Sequence, residues 1–235
     1  MNGMTDNLRM RKLLLFFSFS LVAMAGFSQN LQRYNWYYGN STQAIRFNRT
    51  SAKPSLVTKA IPFGQGGSAT ASDPANANLL FYTDGQSVFD ATNKKMPGGL
   101  GLTGNPSSNQ PVAICAVPGN PNKYFIFLNS ASFPAPGTIT ARVVDMTIPG
   151  NSFFPAPSLG DLEPAIIPTG LINRAEGMIV VPHSNGTDFW LISQQINSLT
   201  LTYTLIDAAS YAPTFTFSST TSNRSEERRV GKECA

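Results

Sequence analysis

The chain has one histidine and two cysteines in 235 residues. A zinc site needs three or four His, Cys or carboxylate ligands, so this scarcity argues against a metal centre, and no metal or cofactor is expected. A Ser-His-Asp hydrolase would have only His183 to use, in VVPHSNG, and no Gly-x-Ser-x-Gly elbow accompanies it. Cys234 stands next to the C-terminal residue, and Cys115, in PVAICAVPG, reads as a small buried side chain. Without a disulfide pair, an exported domain must rely on its core, and about 195 residues can supply one.

Charge is scarce too. Charged residues make up 13% of the chain, and the net charge is +4. Residues 29–223 hold ten Lys/Arg against nine Asp/Glu, a net charge of +1. The basic balance therefore comes from the two ends, and it gives no support for nucleic-acid binding, which needs a clustered basic face. Also missing is any sustained apolar stripe at helical spacing. Seventeen prolines and 19 glycines interrupt every long stretch.

One long apolar run is present, LLLFFSFSLVAMA at residues 13–25, after the basic Arg9, Arg11 and Lys12. It leads into Ala23-Met24-Ala25 and then Gly26-Phe27-Ser28. This order is that of a secretory signal peptide over residues 1–28. Thirteen residues fall short of the roughly 20 needed to span a bilayer, so no transmembrane segment is expected after its removal. No cysteine follows the run to carry a lipid. At the other end, RSEERRVGKECA (residues 224–235) has seven charged residues in 12. It resembles translated sequencing-adapter DNA and reads as an artefactual, disordered tail on an incomplete domain. A natural charged tail is the alternative.

Between these ends lie short runs rich in Val, Ile, Phe, Tyr and Thr, bounded by turn residues, the sign of an all-β domain. They recur. Each unit has a first strand, a turn-rich loop, an aromatic second strand (residues 79–83, 124–128 and 189–193) and a third strand ending in Asp90, Asp145 or Asp207. Phe81 and Phe125 are 44 residues apart, and Phe125 and Phe189 are 64 apart with an insertion at 149–170. Propeller blades take about 40 to 50 residues each. The expected fold over residues 29–223 is a partial β-propeller of about three to four antiparallel blades, with a β-sandwich as the alternative. NWYYGNSTQAIRFN (residues 35–48) is placed to complete the last blade. Asp84-Gly85 reads as a structural turn of type I′, in which both residues take positive φ.

NWYYGN, NLLFYTDG, MPGGLGLTGNPSSNQ, PGNPNKYFIF and EGMIVVPHSNGTDFWLIS occur in this order between Asn35 and Ser193. This series resembles the N-terminal propeller-like region of large Bacteroidetes surface proteins. In that family the region often precedes PKD-type repeats and a C-terminal domain for gliding motility or type IX secretion sorting. The resemblance implies a secreted or outer-surface location. It transfers no chemistry to particular residues.

No catalytic residue is assigned. The carboxylates open to a propeller-type carbohydrate hydrolase, which needs two of them about a common ligand, are Asp84, Asp161, Glu163, Glu176 and Asp188; the simple alternative for Glu176 is an ion pair with Arg174. Residues 73–78 lack the mid-loop glycine and terminal glutamate of a calcium loop. Candidate binding residues are Trp36, Tyr38, Asp161, Glu163, Glu176, His183 and Trp190. The leading expectation is an exported binding or scaffold module whose partner is a glycan or protein at the cell surface. A carbohydrate-active hydrolase and a purely structural stalk are the alternatives.

Overall fold

The computed structural model describes residues 34–64, 66–153, 155–211 and 215–223. The leader and the charged tail lie outside the described residues. The described chain is all-β, with fifteen antiparallel strands in three sheets, none closed into a barrel. Sheet A is a meander of β1 (Asn35–Trp36), β2 (Gln43–Phe47) and β3 (Pro54–Thr58). Sheet B is a meander of β4 (Ala69–Ser72), β5 (Leu79–Thr83), β6 (Ser87–Asp90) and β7 (Lys95–Leu100). Sheet C joins β8 (Val112–Val117), β9 (Asn120–Asn129), β10 (Gly137–Asp145), β12 (Ile167–Pro182), β13 (Phe189–Gln195), β14 (Thr200–Ile206) and β15 (Ser218–Asn223), with the short β11 (Asp161–Leu162) beside β10.

Sheet C works as two layers. The first half of β12 pairs with β10 through Ile167–Ala141, Leu171–Ile139 and Arg174–Gly137. Its second half pairs with β13 from Met178 to Pro182. Between them the register shifts after Arg174, and Gly170 and Asn173 take positive φ (+75° and +56°). Such irregularities bend a strand, and here they carry β12 from one layer to the next.

Four layers therefore stack in chain order. Side chains alternate across each strand, so neighbours serve different interfaces. Tyr82 and Phe89 face sheet A with Tyr37, Ala44 and Phe63. Phe81 and Val88 face the β8–β10 layer, where they meet Tyr124, Ile126 and Leu128. Phe125 and Phe127 point the other way, onto Leu171, Met178, Leu191 and Ile206. Phe81 and Phe125 are both 0% exposed, and each such side chain contributes about 1.5–3 kcal/mol by leaving water. Sheet B and the β8–β10 layer are thus buried on both faces. The first strands β1, β4, β8 and β12 neighbour one another in succession. This serial arrangement accords with a partial propeller, and a sandwich describes any two adjacent layers.

Three sequence readings are corrected. Residues 35–48 do not join the last layer; β2 pairs with β1 and β3 in a sheet at the opposite end of the stack. Phe189 is not the counterpart of Phe125. It packs back toward the β8–β10 core, so Trp190 holds the equivalent position. At the Asp84-Gly85 turn only Gly85 has positive φ (+87°). The Asp84 carboxylate accepts from the Gln86 and Ser87 amides (2.9 and 2.8 Å), an Asx turn that leaves Asp84 in ordinary backbone space.

The repeated third-strand aspartates are corner pieces. Asp90 Oδ1 accepts from the Thr92 amide, the Thr92 hydroxyl and the Lys94 amide. Asp145 Oδ1 takes the same two groups of Thr147 (2.8 and 2.6 Å). Asp207 caps the short 3-10 turn Ala208–Ser210 through the Ser210 amide. One carboxylate oxygen thus replaces the ladder where each meander turns away.

Candidate functional site

Where the first strands converge, β4, β8 and β12 leave a concavity of about 600 Å³. Thr70 and Ser72 of β4, Ile114 of β8, Val180 of β12, and Tyr124 and Phe189 line it. No charged side chain is among the described residues that line it. Ligand pockets are commonly of this size, mostly apolar, with a few placed polar groups. The Tyr124 ring is buried against Phe81, yet its hydroxyl has no hydrogen-bond partner among the described residues. Burial, with Asp73 adding a smaller charge effect, pushes the Tyr124 pKa up to about 12. It stays a neutral donor and acceptor at physiological pH. Cys115 lies beneath the same wall, and burial raises its thiol far above the ordinary range, which leaves it without thiolate character.

The residues singled out in the sequence lie elsewhere. Glu163 belongs to a charged cluster at the outer side of the β8–β10 layer. Lys123 Nζ contacts Asp145 Oδ2 at 2.8 Å, Glu163 Oε1, and the Tyr211 hydroxyl at 2.7 Å. The Tyr211 hydroxyl donates in turn to Glu163 Oε1 at 2.7 Å. Burial opposes the Lys123 charge, but hydrogen bonds to Asp145, Glu163 and Tyr211 outweigh it and raise the ammonium pKa. Burial also opposes the Asp145 charge, and the Lys123 and Thr147 donors hold its carboxyl below the usual value. The cluster is self-satisfied and pins β9, β10 and the chain after the 3-10 turn together.

Asp161 accepts from the Gly98 amide at 2.8 Å and so ties β11 to β7 of the preceding sheet. Glu176 makes no ion pair with Arg174, whose guanidinium donates to Thr202 Oγ1 (2.6 Å) and the Ile172 carbonyl (3.0 Å). Instead Glu176 Oε1 accepts from the Phe133 amide (2.8 Å), and Oε2 accepts from the Asn109 amide (3.0 Å) and side chain (2.6 Å). The Phe133 and Asn109 amides hold its carboxyl below the ordinary range. His183 sits in the turn after β12, where Nδ1 accepts from the Asn185 amide at 3.1 Å and the ring rests against Trp190 with centroids 5.4 Å apart. Asp188 accepts from the Asn185 side chain in that turn. Trp36 of β1 and Tyr38, in the connection after it, are about half exposed, with Trp36 edge-on to Phe47 at 4.9 Å.

None of these residues lines the concavity. The carboxylates of Asp161, Glu163, Glu176 and Asp188 and Nδ1 of His183 hold protein groups, and the structure brings no two of the carboxylates to one open site. Among the described residues no group of three or more His, Cys, Asp or Glu could hold a metal ion. Sequence reasoning did not single out Tyr124 as a binding residue. The signal was there in NKYFIF, since a tyrosine among phenylalanines in a buried strand carries a hydroxyl that must find a partner.

Compared with known proteins, the chain matches no family model, no curated protein and no solved structure. Its class therefore rests on the architecture, an all-β stack of antiparallel meanders.

Proposed function

We propose that the chain is an exported binding module that takes a neutral, partly apolar ligand in the concavity between its first strands. It serves at the outer cell surface or outside the cell, in the manner of the N-terminal regions of large Bacteroidetes surface proteins. The uncharged wall with the unpartnered Tyr124 hydroxyl carries this reading. A glycan or a peptide segment suits it, since both offer apolar faces and hydroxyl, carbonyl or amide groups. The leader-like residues 9–25 support export. Among the described residues no helix is long and apolar enough to cross a membrane.

Two measurements test the proposal. N-terminal sequencing of exported protein should begin after Ala25 or Ser28; finding Arg9 would defeat the export reading. Neutral polysaccharides and their oligomers should quench tyrosine and tryptophan fluorescence saturably, with Tyr124→Phe weakening binding at least tenfold while leaving the unfolding midpoint nearly unchanged. Equal binding by wild type and Tyr124→Phe would remove the concavity as the site.

A further inference from the structure

The concavity is lined by bare backbone as well as by side chains. β8 pairs with β9 on one edge, and no described strand pairs with its other edge. The Asn129 amide donates to the Pro111 carbonyl at 2.9 Å, one step before the pair Val112–Leu128. Hydrogen-bonded and non-hydrogen-bonded pairs alternate along an antiparallel ladder. Ala113 and Cys115 therefore turn their N–H and C=O groups toward β9, and Ile114 and Ala116 turn theirs away. Among the described residues no hydrogen bond reaches the backbone of Ile114 or Ala116. Both residues are half-buried, and both line the concavity. A strand edge left unpaired in this way is a template for another strand.

We infer that an extended, uncharged peptide segment of another protein adds to β8 at this edge as a further strand. The inference rests on the reading of the concavity as a binding site, and it names the ligand class. Ile114 and Ala116 offer two donor–acceptor sets about 6.7 Å apart, the rise of two strand residues. An extended peptide repeats its own N–H and C=O groups at that interval, and a sugar chain does not. In strand addition the main chain supplies affinity, and flanking pockets select alternate side chains. Here Ala71 and Tyr124 stand on one side of β8, and Val180 and Phe189 on the other. Small and apolar side chains suit both. The chain's own residues 224–235 carry seven charges in 12 and would set them against a wall that has none among the described residues. The edge lies at the middle of the stack, walled by residues of three repeats, and not at either end of it.

Fluorescence anisotropy on the full chain, recovered after export, tests this. The probes are labelled heptapeptides of Ala, Val, Ser and Thr, blocked at both ends, with neutral oligosaccharides in parallel. Saturable peptide binding is expected. N-methylation at alternate amides of the tightest peptide should weaken it at least tenfold in one phase of the alternation and less than twofold in the other, because every second amide faces β8. In the complex, hydrogen exchange at the Ile114 and Ala116 amides should slow at least tenfold, while Ala113 and Cys115, already paired with β9, barely change. Ala116→Pro removes one edge donor and leaves the β9 ladder its donors. It should weaken the peptide at least fivefold while keeping a cooperative unfolding transition; if it does not fold, the N-methylated peptides decide. Peptide binding that leaves Ile114 and Ala116 unprotected, or that is indifferent to N-methylation, would overturn the inference. Oligosaccharide binding weakened by Tyr124→Phe, with no peptide bound, would overturn it and leave the concavity as a binding site. Binding of neither probe would end both readings.

Discussion

Asn151 donates from its side-chain amide to Asp90 Oδ2 at 2.8 Å, joining the loop after β10 to the buried corner that closes β6. The same amide reaches the Lys95 carbonyl at 2.8 Å. A residue of one repeat thus completes the corner of the repeat before it. Asp90 is fully buried and accepts four hydrogen bonds. Asp90→Ala should cost about 3 kcal/mol, because it strands several buried donors, whereas Asn151→Ala should cost about 1 kcal/mol. Urea unfolding midpoints of the two variants compare them directly, and equal losses would mean that the corner turn contributes nothing of its own.

The Lys123 cluster sets a pH profile. The Asp145 carboxyl is held below its ordinary 3.8 in the folded chain, so the unfolded chain takes up the proton first as pH falls. Its contribution is full above about pH 5 and is lost as pH drops through the lower folded value. Glu176 has the same sign. The Lys123 ammonium is held above 10.5, so its contribution is full below that value and is lost as pH rises through the folded one. A stability plateau between about pH 5 and 10 follows. Lys123→Met should lower the plateau by about 2 kcal/mol, allowing for the partial exposure of the cluster, and should shrink the loss on both sides. Thermal unfolding at several pH values measures each.

Glu176 clamps two loops through the Asn109 and Phe133 amides. Glu176→Gln keeps the shape and one acceptor but removes the charge. Hydrogen exchange at those two amides should quicken about fivefold, equivalent to about 1 kcal/mol of local stability, with little change at β5 or β9. Uniform acceleration across the chain would show that the clamp supports the whole stack.

Gly137 opens β10 against the end of β9, and a methyl group there would lie 2.1 Å from the Ala131 amide nitrogen. The obstacle is backbone, which cannot swing aside. Gly137→Ala should cost about 2–4 kcal/mol, read from a lowered unfolding midpoint; a change below about 0.5 kcal/mol would show that the β9–β10 connection yields freely.

Much of this fold is readable from residue order. The aromatic second strands and Thr200–Ile206 appear where apolar, β-branched runs predict them. The terminal aspartates mark the corners because a carboxylate that caps its own turn leaves the same short polar signature each time. Other parts are hidden. The strand β7 contains Pro97, Gly98 and Gly99, residue types that disfavour a strand; it is an edge strand, where a missing ladder donor is tolerated. The 16-residue β12 begins at Ile167, inside residues that read as an insertion. Glu176 suggested chemistry or an ion pair and proves a loop clamp, since three donors distant in sequence meet it. The concavity was not legible at all. Its wall comes from three repeats, and nothing in the local pattern of Tyr124 tells which face its hydroxyl meets.

Because β12 belongs to both the β8–β10 layer and the β13–β15 layer, the two share a covalent hinge whose backbone is hydrogen-bonded on either side. Drawn out by its ends, the molecule loads both ladders through this one strand, so the fall of one layer throws its tension onto the other. They should give way as a single event in a force-extension trace. Sheets A and B, each with a ladder of its own, should peel off in separate and smaller steps. Under such a load the concavity would open early, losing its β4 side with sheet B before its β8 and β12 sides part.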